Sequence, residues 1–154
     1  MAKTIINSID DFVALKGEVL GESRWFEISQ EIINCFADAT FDHQWIHTDP
    51  DRAEVESPYK STIAHGYLTL SLLPTLLDDI IEVNNLERLV NYSIKDMTYK
   101  SAVLSGSRIR LVATLNRAKD LGNICKTEIH CRFEIDGQDI PALEGTIVYL
   151  YYFK

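Results

Sequence analysis

The sequence is short of everything that staples small proteins or carries them onto nucleic acid. Three cysteines, Cys35, Cys125 and Cys131, occur in 154 residues. None forms a C-x-x-C pair and no histidine stands at zinc-finger spacing, which argues against a disulfide scaffold or structural zinc and for a reducing, cytoplasmic setting. Lys and Arg number 15 against 23 Asp and Glu, a formal charge of -8. An acidic chain without a basic cluster repels phosphate backbones, so no nucleic-acid partner is expected. Long apolar runs are missing too. The longest, from Tyr67 to Ile81, contains Pro74, Asp78 and Asp79 and falls short of the ~20 residues a bilayer requires, so no membrane partner is expected either. The opening MAKTIINSIDDF has no basic region followed by an apolar one, and no signal peptide is expected. No repeat, low-complexity tract or linker composition interrupts the chain, which predicts one domain over residues 1–154.

What is present changes period along the chain. Ser8 and Asp11 have the spacing of a capping box, which predicts a helix over about 9–16. Gly17 and Gly21 bracket a turn before a strand in SRWFEIS. Ser29 is placed to cap a second helix, with Ile32, Ile33, Phe36 and Ala37 on one face, and Asp49-Pro50 opens another over about 50–56. From near Ile63, Leu68, Leu70, Leu72, Leu73, Leu76, Leu77, Ile80 and Ile81 cover a helix almost all round, which predicts a buried one, kinked at Pro74. After residue 86 the period falls to two. Segments 88–99, 107–119, 123–135 and 142–153 read as strands, with Asp136-Gly137 as a hairpin turn. Helices followed by four successive strands predict an α+β fold, its antiparallel sheet wrapped around the long central helix.

Two stretches carry chemistry. FADATFDHQWIHTDP holds Asp42 and His47 five residues apart. A carboxylate and an imidazole facing one water can hold it and move its protons near neutral pH, although a turn at that spacing is free to aim them apart. STIAHGYLTL places His65-Gly66 at the start of the central helix. A glycine there admits close approach to the backbone, and the free N–H groups of a helix start suit a developing oxyanion.

FADATFDHQWIHTDPDRA followed by STIAHGYLTLSLLP resembles the MaoC-like dehydratases, the hot-dog-fold (R)-specific enoyl-CoA hydratases and their nodulation protein N-like relatives. The resemblance runs from about residue 17 to the C-terminus and is strongest over 36–74. It implies a hot-dog domain that hydrates trans-2-enoyl thioesters, or dehydrates 3-hydroxyacyl thioesters, in fatty acid metabolism. Asp42 and His47 match the catalytic pair, and the Gly66 N–H matches the donor to the thioester oxygen. Gln44 stands where the family has a loop-supporting Asn. With Ala64, His65 and Tyr67 it completes the expected substrate-binding set. No cofactor or metal is implied; coenzyme A or an acyl carrier protein enters as the thiol part of the substrate. A homodimer is implied, with further assembly left open. Three departures stand out: Phe41 replaces a glycine, Lys60 lies in the segment before the second motif, and Pro74 occupies a position that is Ser in some hydratases. A hot-dog thioesterase and a noncatalytic acyl-thioester-binding or structural subunit remain alternatives.

For the other polar residues the bland reading is preferred. Asp38 reads as a helix-end charge, Asp49 as an N-cap, His43 as a loop hydrogen bonder and His130 as a sheet-surface residue. Trp45 and Tyr67 are candidates to wall an acyl pocket.

Overall fold

The computed structural model describes residues 2–154. In chain order it contains β1 (Thr4–Ile6), α1 (Ile9–Ala14), β2 (Val19–Glu22), β3 (Phe26–Glu27), α2 (Gln30–Thr40), α3 (Trp45–Thr48), α4 (Pro50–Glu56), α5 (Gly66–Ser71), α6 (Leu73–Asp78), β4 (Ile81–Val83), β5 (Leu86–Tyr99), β6 (Arg108–Asp120), β7 (Ile124–Ile135) and β8 (Leu143–Phe153). The caps form as the side chains dictate. Ser8 and Asp11 close a capping box, Ser29 accepts from the Ile32 N–H, and Asp49 accepts from the Arg52 N–H with Pro50 in the first turn.

The main sheet is antiparallel in the order β2-β6-β7-β8-β5, with β3 also on β6. Its inward positions, among them Ile109, Leu111, Leu115, Ile129, Phe133, Leu143 and Tyr151, pack on Leu68, Leu73, Leu76 and Leu77 of the helix. This is the expected α+β hot-dog arrangement, a sheet curled around a helix, and burying that shared apolar surface is its main support.

Four details differ from the sequence reading. The central helix starts at Gly66, because Ile63 is drawn into a β-bridge with Leu104 and the Ala64 N–H donates to the Val103 carbonyl. It breaks in two at Leu72, with Pro74 in the first turn of the second piece, where a missing N–H costs no helical bond. Nor is it buried all round: Tyr67, Ser71, Pro74 and Thr75 face outward. Finally, residues 4–6 pair in parallel with β4 to form a separate two-stranded sheet.

The edge strand β5 carries an extra residue that matters for the site. Lys95 pairs with Thr146 and Thr98 with Glu144, so Asp96 and Met97 together oppose Gly145. Ile94 lies opposite the inward-facing Ile147, and an unbulged register would set Thr98 opposite inward-facing Leu143. The bulge sets Tyr99 there instead. Only glycine fits at 145, since a Cβ would come 2.5 Å from the Met97 Cα.

Candidate active site

The stretch from Phe41 to Thr48 is built to bring two side chains to one place. α2 ends at Phe41, whose φ of 63° and ψ of 17° are left-handed, the conformation usually supplied by glycine. The chain reverses there, and Asp42 Oδ1 accepts from the Gln44 N–H at 3.4 Å, closing an Asx-type turn. The single turn of α3 then swings His47 inward, with its N–H donating to the Gln44 carbonyl. The five-residue spacing therefore works through one tight turn and one helical turn, neither of which the spacing revealed.

His47 is buried, and its Nδ1 lies 2.7 Å from the Ile63 carbonyl. A carbonyl only accepts, so Nδ1 carries the hydrogen and the neutral ring presents its Nε2 lone pair. Burial, opposed in part by that hydrogen bond, holds the His47 pKa below the ordinary histidine value of 6.5, and neighbouring His65 adds to the lowering. The ring is thus set up as a proton acceptor. Asp42 lies beside it, its side chain 55% exposed.

Ligand atoms of Asp42, His47 and His65 lie within 4.8 Å of one another. The two imidazoles are stacked face to face, centroids 3.9 Å apart and 25° from parallel. In-plane lone pairs of stacked rings run side by side and do not converge on one point, so this donor set does not fit a shared metal ion. A water between Asp42 and His47 suits the spacing better.

Gly66 begins α5 after His65, which is extended (φ -58°, ψ 137°) and provides no side-chain cap. The first N–H groups of the helix therefore lack a partner within it and remain free for a carbonyl oxygen. Why residue 66 is glycine is visible above it. A Cβ there would meet the Tyr99 ring at 2.7 Å.

A cavity of about 360 Å³ opens beside these groups, lined in part by His47, Ala64, Gly66, Thr69, Tyr99 and Lys100. Of the expected site residues, His47, Ala64 and Gly66 line it; Asp42 and His65 do not, although both lie beside His47. Tyr67 does not; its side chain is 74% exposed, and Tyr99 takes the place expected of it. Trp45 is likewise outside the lining, packed under the Arg52 guanidinium at 4.4 Å. Gln44 contributes its backbone alone, accepting from Thr48 Oγ1 at 3.3 Å. Loop support comes instead from Gln30, whose Nε2 donates to the His47 carbonyl at 2.7 Å while its Oε1 accepts from the Thr62 hydroxyl. Lys60 turns away, its Nζ donating to the Val55 carbonyl at 2.9 Å. Lys100 is the lysine at the cavity, paired with Glu144 at 2.6 Å. His43 pairs with Asp38 at 2.8 Å on the surface, and His130 with Glu144 at 3.1 Å on the sheet. Gln30 and Tyr99 had no local signal, because their roles depend on partners 17 and 33 residues away.

Known proteins share this architecture and this sequence. The family model described as MaoC like domain matches residues 11–132. The chain is 39% identical to 3-hydroxyacyl-thioester dehydratase Z of Mycobacterium tuberculosis over 145 residues, 94% of this chain and 95% of the relative. It is 38% identical to nodulation protein N of Rhizobium meliloti over 150 residues, 96% and 92% of the two chains. An (R)-hydratase structure from A. caviae superposes with a TM-score of 0.70 at 20% identity, covering 86% of this chain and 95% of that one, a likeness of fold. With the family model spanning most of the sheet and both motif segments, and relatives aligned nearly end to end, the chain belongs to the MaoC-like domain family.

Proposed function

We propose that this protein is an enoyl-thioester hydratase, adding water to trans-2-enoyl thioesters to give (3R)-3-hydroxyacyl thioesters, or catalysing the reverse dehydration. The observation that carries the reading is the convergence of the Asp42 carboxylate and the neutral His47 ring beside the uncapped N–H of Gly66. The substrate carbonyl oxygen would accept from Gly66 N–H, drawing electron density from C3. A water held between Asp42 and His47 gives a proton to His47 Nε2 as its oxygen bonds to C3. The C2–C3 π pair moves toward the carbonyl, where the Gly66 N–H stabilises the enolate-like oxygen. Return of a proton from the pair to C2 on the same face completes a syn addition. The addition forms one C–O and one C–H bond with no change of overall oxidation level, so this reading calls for no cofactor; coenzyme A or a carrier-protein arm is the thiol part of the substrate.

We assign the apolar tail to a neighbouring cavity. A second cavity of about 480 Å³, lined by Leu70, Leu73, Pro74, Ile94, Ile147 and Tyr149, lies further along the same seam between the helix and strands β5 and β8. The acting unit in this reading is a homodimer, with a second copy on the free edge of β5, where Tyr92 and Ile94 are exposed. No helix among the described residues is long and apolar enough to cross a membrane. All three cysteines are free, and burial pushes the Cys125 and Cys131 thiols up to about 11 and about 12. We place the reaction in the cytoplasm, where such thiols persist.

The test follows loss of enoyl-thioester absorbance with trans-2-enoyl-CoA of several chain lengths, in wild type, Asp42→Ala and His47→Ala. Turnover to the (3R)-hydroxy product that collapses in both folded variants supports the reading. Release of free thiol from acyl-CoA without hydration would overturn it in favour of thioester hydrolysis.

A further inference from the structure

We propose that His65 is a positioning residue that holds the catalytic pair and the oxyanion donor in mutual register, rather than a contact to substrate. The inference rests on the hydratase reading for its kinetic consequences, but its geometry stands apart from it. The His65 ring is 3% exposed and is not part of the cavity wall. Its Nε2–H donates to the backbone carbonyl of Asp42 at 2.9 Å, whereas the Asp42 carboxylate is 3.9 Å away, beyond hydrogen-bond reach. The ring therefore fixes the turn that carries Asp42 and leaves the carboxylate free for water. The same ring stacks on His47 at 3.9 Å and packs 5.0 Å from Phe36 of α2. It covers one face of the base with another ring and ties both to the helix preceding the loop. Its backbone carbonyl accepts from Leu68 N–H at 3.0 Å, starting the turn that presents Gly66. One residue thus ties together the acid, the base and the oxyanion donor.

The remaining nitrogen shows which tautomer the ring holds. His65 Nδ1 is buried with no hydrogen-bond partner. Since Nε2 must donate to a carbonyl, Nδ1 is a bare lone pair. The ring lies against one face of His47 and keeps water from it. The other titratable groups near His47 are the exposed Asp42 beside it and Tyr59, Tyr99 and Lys100 of the cavity wall, the last paired with Glu144.

The experiment combines kinetics with histidine NMR on wild type, His65→Ala and His65→Gln. In wild type, ring nitrogen shifts should show the Nε2–H tautomer for His65 and Nδ1–H for His47; the opposite tautomer at His65 would overturn the proposal without any variant. His65→Ala should lower kcat at least tenfold with KM within about twofold, and should move the His47 titration midpoint up toward 6.5 as water reaches the ring. His65→Gln, which restores a donor, should recover much of kcat. A rise in KM alone would make His65 a substrate contact, and a fall in Tm with kcat and the His47 midpoint unchanged would make it merely structural; either result defeats the proposal. Wild type inactive on every enoyl thioester would remove the hydratase reading, while the tautomers and the His47 midpoint would still decide the role of His65.

Discussion

At the scale of single residues, the site depends on two side chains held in states they would not choose alone. His47 is kept neutral by burial, with its pKa below 6.5. The acid limb of kcat/KM should therefore fall below pH 6.5, and a limb at or above that value would contradict a buried base. The same shift has a stability consequence of definite sign. Between the lowered folded pKa and the unfolded value near 6.5, the unfolded chain binds more protons, so stability rises with pH through that window and is lost as pH falls through the folded pKa. Urea midpoints measured from pH 7 downward should show this fall, and His47→Gln should flatten it. Phe41 is the second case. Its backbone is left-handed and its side chain is 85% exposed, so the ring recovers little of the roughly 1–2 kcal/mol that this conformation costs a non-glycine residue. Phe41→Gly should raise stability by about 1 kcal/mol, read as a higher urea midpoint; an unchanged or lower midpoint would show that the ring makes up its own strain.

At the scale of elements, two glycines do different work and should fail differently. A Cβ at Gly145 meets backbone, 2.5 Å from Met97 Cα and 2.9 Å from the Asp96 carbonyl oxygen, whereas a Cβ at Gly66 meets a side-chain ring that can rotate away. Gly145→Ala should therefore cost about 1–3 kcal/mol of stability, and the bulge that aims Tyr99 should shift with it. Gly66→Ala should leave Tm nearly unchanged and cut kcat/KM, because the methyl group stands beside the oxyanion donor. Equal thermal penalties for the two variants would refute this division. These features also mark what could be read from the chain. Strands β6, β7 and β8 show in their period of two because each buries one face, whereas β5 is exposed almost throughout, and the caps at Ser8, Ser29 and Asp49 show because they are satisfied locally. The paired motifs put Asp42, His47, Gly66 and Ala64 in one expected site; the cavity wall holds His47, Ala64 and Gly66, with Asp42 beside His47. Tyr99 and Gln30 stayed hidden because a β-bulge and a long-range side-chain bond leave no periodic trace. The resemblance puts Tyr67 at the pocket, but a place next to Gly66 in the sequence does not say which face of a helix a side chain takes, and Tyr67 faces outward.

At the scale of the whole molecule, the sheet is unfinished. β5 runs for 14 residues with a neighbour on one side only, and its burial pattern is exposed almost throughout. A long edge with free N–H and C=O groups invites pairing, and natural proteins cover or blunt such edges. Here the blunting is partial. The bulges at Asn91–Ser93 and Lys95–Thr98 twist the strand, and Arg88 and Lys95 are held by Tyr152 and Glu128 within the chain. In the first bulge and just after it, however, Tyr92 and Ile94 stand exposed beside the cavity that would take the acyl tail. A second copy laid edge to edge would satisfy those backbone groups and cover the seam, so that assembly and tail binding share one surface. Light scattering should accordingly give a mass about twice 17.5 kDa. Ile94→Asp, which puts a charge in the covered seam, should yield monomer and lose turnover more steeply with long-tailed enoyl thioesters than with short ones. A variant that stays dimeric would place the interface elsewhere. One that dissociates while keeping its chain-length profile would separate the dimer from the tail site.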